Sequence, residues 1–241
     1  MTSTPAAPSP ARRPVRDALL DAAAVLLPVR CAGCSVPDRS VCTACERSLA
    51  PHLRTRTVAG ISVSSALEYD GVPRAVLLAY KDAGRVDAAS ALAGALRAAI
   101  AGAGAGVGVG VGEGAEVGAR AGRGDRVVPV LIPSTRAAWR RRGYHPTGMV
   151  LSRSRILDPP LWRALRLTRQ TADQAGLSSS DRERNREGSI VASDRLAGRR
   201  CLIVDDIVTT GATLVEAARA IAAAGGVVAG AATIAQTPRH R

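Results

Sequence analysis

With 241 residues and 46% hydrophobic content, the chain is long enough for one substantial α/β core and a small satellite module. Its formal charge of +13 favours polyanionic partners: nucleic acid, phosphorylated metabolites or acidic membrane surfaces. Aromatic residues make up only 2%, with no Phe, which leaves little for a stacking platform on single-stranded nucleic acid. The basic residues are Arg apart from Lys81, and the abundance of Arg, Ala and Gly follows from a GC-rich genome as readily as from function.

Residues 1–14, rich in Pro, Ala and Ser, read as a disordered tail, and 16–27 as a short amphipathic helix ending at Pro28. The apolar stretch around that helix is broken by Asp21 and Pro28 and lacks a small-residue cleavage site, so it is expected neither to span a membrane nor to direct secretion. A cytoplasmic location is therefore the expectation. In a reducing compartment, Cys31-x-x-Cys34 and Cys42-x-x-Cys45 read as metal ligands ahead of disulfides. Two such knuckles supply four thiolates for tetrahedral zinc, although the gap between them is shorter than the common spacing; free thiols and disulfides are the alternatives. We assign the helix and cysteine module to residues 15–57 and a larger domain to 58–241.

Strand-like alternation over 61–69 is followed by the turn signal Asp70-Gly71 and a helical stretch at 73–80. Asp87 is placed to cap a second helix reaching about Ile100 on Leu92 and Leu96. Residues 102–124 form a Gly/Ala/Val tract, expected to be a flexible insertion without chemistry. Beyond it we expect a strand at 127–132, a loop, a helix at 146–155, a strand at about 162–167, a long polar segment, a strand at 201–204, a helix at 212–224 and a strand at 227–234. This alternation predicts a Rossmann-like, mostly parallel sheet flanked by helices, with ligands at the carboxyl ends of its strands.

The segment CLIVDDIVTTGAT, residues 201–213, carries the sharpest chemistry. Its apolar run reads as a strand buried on both faces, with Asp205 and Asp206 emerging at the exposed end to accept from vicinal sugar hydroxyls. Thr209, Thr210, Gly211, Ala212 and Thr213 then turn the chain into a helix, where free N–H groups and the helix dipole suit a phosphate. No G-x-x-x-x-G-K-[ST] motif is present. Cys201, inside the strand, reads as an inert core residue.

Position for position, this segment resembles the ribose-phosphate signature of type I phosphoribosyltransferases. The resemblance implies that Asp205 and Asp206 contact the ribose of 5-phosphoribosyl 1-pyrophosphate, that residues 209–213 hold its 5-phosphate, and that Mg2+ rides on the pyrophosphate. The cysteine array followed by Leu49-Ala-Pro51 is similar to the N-terminal zinc module of the ComF family, which is associated with DNA uptake. Tyr80-Lys81 with Gly84-Arg85, and Pro129 to Pro133 with Arg136 and Arg142-Gly143-Tyr144, resemble that family's lysine motif and pyrophosphate-loop region. Lys81, Arg136 and Arg142 are thereby implied as pyrophosphate-side cations. The family continues with Asn-Gln where this chain has His145-Pro146. Arg169-Gln170-Thr171, Gln174, Leu177, Arg182 and Asn185 resemble its mobile segment. These resemblances imply a phosphoribosyltransferase of unknown acceptor. The alternative is a DNA-uptake accessory protein that binds single-stranded DNA or a competence helicase and uses the ribose-phosphate site for regulation.

Overall fold

A computed structural model describes residues 29–37, 39–105, 127–156, 163–168 and 188–238. The expected tail and 16–27 helix, most of the Gly-rich tract, and Arg169 through Asn185 lie outside the described residues.

Seven strands are present among these residues: β1 (Arg54–Val58), β2 (Ile61–Glu68), β3 (Val127–Leu131), β4 (Leu165–Leu167), β5 (Ile190–Ala192), β6 (Arg200–Val208) and β7 (Val227–Gln236). The α-helices are α1 (Thr43–Ser48), α2 (Gly71–Asp82), α3 (Ala89–Ala105), α4 (Arg136–Arg142), α5 (Pro146–Ser154) and α6 (Ala212–Ala223). Five strands form one sheet in the order β1-β2-β7-β6-β3, parallel throughout except for β1. This is the mostly parallel architecture expected from the strand–helix alternation.

Alternation along β6 divides the core. Leu202 and Val204 face the side packed by α2, α3 and α5, whereas Cys201 and Ile203 face α6. Every one of these side chains is buried, which is why the strand reads as an unbroken apolar run. The segment Val86–Gly104 is long and apolar enough to cross a membrane, but Leu92, Leu96 and Ile100 are buried in the core that includes residues of β2 and β7. Its apolarity is accounted for by burial within the fold.

Three expectations need correction. The Gly-rich tract does not begin at 102, because α3 continues to Ala105. A Cβ on Gly102 would stand 2.7 Å from Ser64 Oγ and 3.2 Å from Leu53, so this glycine serves close packing rather than flexibility. The strand near 162–167 reduces to β4, which pairs antiparallel with β5 in a separate two-stranded sheet and does not join the parallel one. That placement arises because β5 packs on α6: the buried Glu216 carboxylate accepts the Ile190 N–H at 3.0 Å and is held by Arg219 at 2.7 Å. Finally, Asp87 lies within a 3-10 turn ahead of α3 and is ion-paired with Arg85 at 2.7 Å.

The hairpin partner β1 was not foreseen. Its sequence RTRTV is largely exposed and offers no apolar face. The link is a two-residue turn, Ala59-Gly60, with φ of 46° and 82°, the positive pair that a type I′ hairpin requires.

Candidate functional site

The carboxyl end of β6 gathers the chemistry. β6 runs on to Val208, so Asp205 and Asp206 lie within the strand instead of emerging beyond it. Asp206 is 9% exposed, a correction to the expectation of an exposed strand end. The strand persists because both acids are locally satisfied: the Asp206 N–H donates to Asp205 Oδ1 and the Ile207 N–H to Asp206 Oδ1, each at 2.8 Å. By alternation the two side chains take opposite faces of the sheet.

On the face of α2, Asp206 Oδ2 meets Lys81 Nζ at 2.6 Å. Burial pulls the lysine's pKa down, but the Asp206 carboxylate outweighs it and the net shift is upward. The Asp205 pKa is also raised, which here favours the neutral form: burial, and then the negative charge of Asp206, push its carboxyl well above the ordinary range.

Lys81 is held in place by its neighbours. The preceding residue, Tyr80, is buried and donates its hydroxyl to the Pro146 carbonyl, while Tyr144 donates to the Tyr80 carbonyl, both at 2.8 Å. Arg142, at the end of α4, donates to Asp82 Oδ1 at 3.2 Å, and its Nε is buried without a hydrogen-bond partner among the described residues. Such an orphaned donor beside Lys81 is what an anion would satisfy.

His145-Pro146 finds its reason here. The Gly148 N–H donates to His145 Nδ1 at 3.2 Å, so the imidazole caps α5, and Pro146 takes the first helical position, where no N–H is needed. Nε2 lies 2.9 Å from the Ile132 carbonyl. That oxygen only accepts, so Nε2 carries the proton and the ring is neutral. Burial holds its pKa below the usual histidine value.

The phosphate-loop candidates follow β6. Gly211 has φ +87°, and a Cβ there would fall 2.5 Å from Val58 Cγ1. Thr210 Oγ1 accepts the Ala212 N–H at 3.3 Å, and α6 begins with its first-turn N–H groups directed at this loop. Arg56 donates to the Thr209 carbonyl at 2.6 Å. Thus β1 covers the loop with Arg56 and Val58, two contacts that sequence reasoning missed. Thr209, Thr210 and Thr213 are exposed. Arg136 stands apart, at the opposite end of α4 from Arg142, beside a cavity shared with Trp139 and His145.

The four cysteines converge. Their Sγ atoms all lie within 4.8 Å of one another, with Cys34 and Cys42 3.6 Å apart. Tetrahedral zinc with bonds of about 2.3 Å separates sulfurs by about 3.8 Å, so the donor set and spacing fit a structural zinc ion. Burial pushes the Cys31 thiol up, but backbone N–H groups, Cys42 foremost, outweigh it and bring it to about 6. Arg85 ties this module to the core, donating to the Arg30 carbonyl at 2.6 Å while paired with Asp87.

A mostly parallel sheet, paired acids toward the end of its inner strand, and a glycine-bearing turn into a helix make a Rossmann-like α/β domain. The family model described as phosphoribosyl transferase domain matches residues 150–241, the stretch that contains β4 to β7, α6 and the 201–213 segment. No curated protein matches the chain.

Proposed function

We propose that the chain binds 5-phosphoribosyl 1-pyrophosphate and transfers its phosphoribose to an acceptor, as a member of the ComF family. The observation that carries this reading is the Lys81–Asp206 pair, held at 2.6 Å on the strand that leads into the 209–213 loop. In the free protein the lysine neutralises a carboxylate that a sugar needs as an acceptor. On binding, the pyrophosphate draws Lys81 and Arg142, and Asp206 is released to the ribose hydroxyls. The first-turn N–H groups of α6 and the hydroxyls of Thr210 and Thr213 receive the 5-phosphate.

Departure of pyrophosphate leaves positive charge at the anomeric carbon, which the carboxylate at Asp206 stabilises, while Lys81 and Arg142 hold the leaving anion. Magnesium bound with the donor would supply further charge neutralisation for the leaving group. The carboxylates fit a secondary role toward it, because three of their four oxygens are engaged by the two backbone N–H groups and by Lys81. Zinc on Cys31, Cys34, Cys42 and Cys45 is structural in this reading, and the location cytoplasmic. Calorimetric titration of the donor with magnesium, on the wild-type chain and on Asp206→Asn, tests the assignment.

A second reading is supported by α4, where Arg140 and Arg141 are exposed next to Arg142 in a chain of net charge +13. Here the basic face binds single-stranded DNA or a competence helicase, and the ribose-phosphate site regulates that contact. Salt-dependent DNA binding separates it from a plain enzyme.

A further inference from the structure

A cavity of about 740 Å³ opens beside the end of β3, walled by the Pro133–Thr135 loop, α4 and β4. Its size suits a small molecule. Trp139 is half exposed there and lines the cavity with its indole. Arg136, Arg163 and Arg166 also line it, and none forms an ion pair or hydrogen bond among the described residues.

The fourth feature is backbone. The Thr168 N–H donates to the Ser189 carbonyl at 2.9 Å and the Ser193 N–H to the Ala164 carbonyl at 2.8 Å. Antiparallel alternation therefore sends the N–H and C=O groups of Leu165 and Leu167 to the outer edge of β4, and both residues line the cavity. A flat apolar face, unpaired guanidinium groups and a polar peptide edge converge on one space. That space adjoins the proposed donor site through His145, whose ring lines the cavity and feels the charge of Asp206.

Resting on the donor-binding reading above, we propose that this cavity receives the phosphoribosyl acceptor and that the acceptor is a planar heteroaromatic carboxylate. The ring lies on Trp139, the carboxylate meets the arginines, and the ring's polar edge pairs with β4. A neutral base leaves the arginines without an anion, and an aliphatic amine leaves the indole without a stacking partner. In the transfer, the lone pair of a ring nitrogen forms the new bond to the anomeric carbon as the carbon–oxygen bond to pyrophosphate breaks. The bonding pair leaves with pyrophosphate, and a proton on the attacking nitrogen, where present, passes to pyrophosphate or water.

Nicotinate and orotate are the probes and nicotinamide the uncharged control, each titrated by calorimetry and indole fluorescence with ribose 5-phosphate present, so that no turnover occurs. We expect at least one carboxylate to bind and quench fluorescence, with nicotinamide at least about tenfold weaker, as loss of a charge-assisted contact requires. Arg166→Gln lowers carboxylate affinity by about tenfold with an unchanged melting curve, because a neutral amide replaces the guanidinium. Trp139→Leu abolishes the quench. The inference is overturned if neither carboxylate binds while the donor does, or if nicotinamide binds as well as nicotinate. Failure of the wild-type chain to bind the donor itself removes the donor reading, and the acceptor role with it.

Discussion

Val58 Cγ1 occupies the space where a Cβ on Gly211 would lie, at 2.5 Å. The hairpin strand β1 is thus seated on the 209–213 loop, and Gly211 is fixed twice, by φ +87° and by this contact. Gly211→Ala is expected to cost about 1–3 kcal/mol, since a left-handed backbone and a steric clash both penalise the methyl group. Denaturant unfolding measures this. Adding Val58→Ala restores the space but not the backbone conformation, so it should recover only part of the loss.

The two acids differ in what their removal does. Asp206→Asn leaves Lys81 without its partner, and we expect a loss of about 2 kcal/mol, below the range for a fully buried pair because Lys81 retains some exposure. Asp205→Asn should stabilise the protein at neutral pH. Its carboxyl is held above the ordinary value, so its contribution is full below about pH 4 and is lost as pH rises through the folded-state pKa. Urea midpoints for wild type and Asp205→Asn should agree near pH 4 and diverge in favour of the variant toward pH 8.

His145 titrates with the opposite sign. Its pKa is lowered by burial, so the stability that the neutral ring supplies is present above about pH 6.5 and is lost as pH falls through the folded-state value. His145→Asn retains a side-chain acceptor for the Gly148 N–H and cannot protonate. Melting temperatures between pH 5 and pH 8 should show a wild-type acid loss that the variant reduces.

The purified chain should contain about one zinc ion, as four convergent thiolates require. Elemental analysis checks this. Cys34→Ser or Cys42→Ser should release the metal and lower thermal stability, because zinc binding is coupled to local folding. A metal-free protein with the same melting curve would contradict the assignment.

If α4 binds single-stranded DNA, affinity should fall steeply between low and moderate salt, with little sequence preference, because phosphate neutralisation releases counterions. A titration at two ionic strengths checks it. Absence of binding at low salt leaves the enzyme reading alone.

The order from β6 through Gly211 to α6 was legible because each step is local: an apolar run, two acids, small hydroxylated residues and a glycine occupy consecutive positions. The burial of Asp206 was not legible, since it depends on Lys81, 125 positions earlier, reaching it from α2. β1 escaped notice because its alternating Arg and Thr are exposed, and only pairing with β2 makes it a strand. A signal for α4 was present. Thr135 accepts the Ala138 N–H as N-cap, and Gly143 closes the helix with φ +74°, a cap pair readable around RAAWRRR. The cavity beside β3 had no such signal, because β3, α4 and β4 meet there only in the folded chain.

In the proposed donor complex, Asp206, released from Lys81, receives the ribose of 5-phosphoribosyl 1-pyrophosphate. Calorimetric titration of that donor with magnesium, run beside a melting curve on wild type and Asp206→Asn, tests it most directly. Wild type should bind the donor and the variant should bind it at least about tenfold more weakly, as removal of a charged acceptor implies, while still folding cooperatively. Wild-type affinity in a folded Asp206→Asn chain would contradict it.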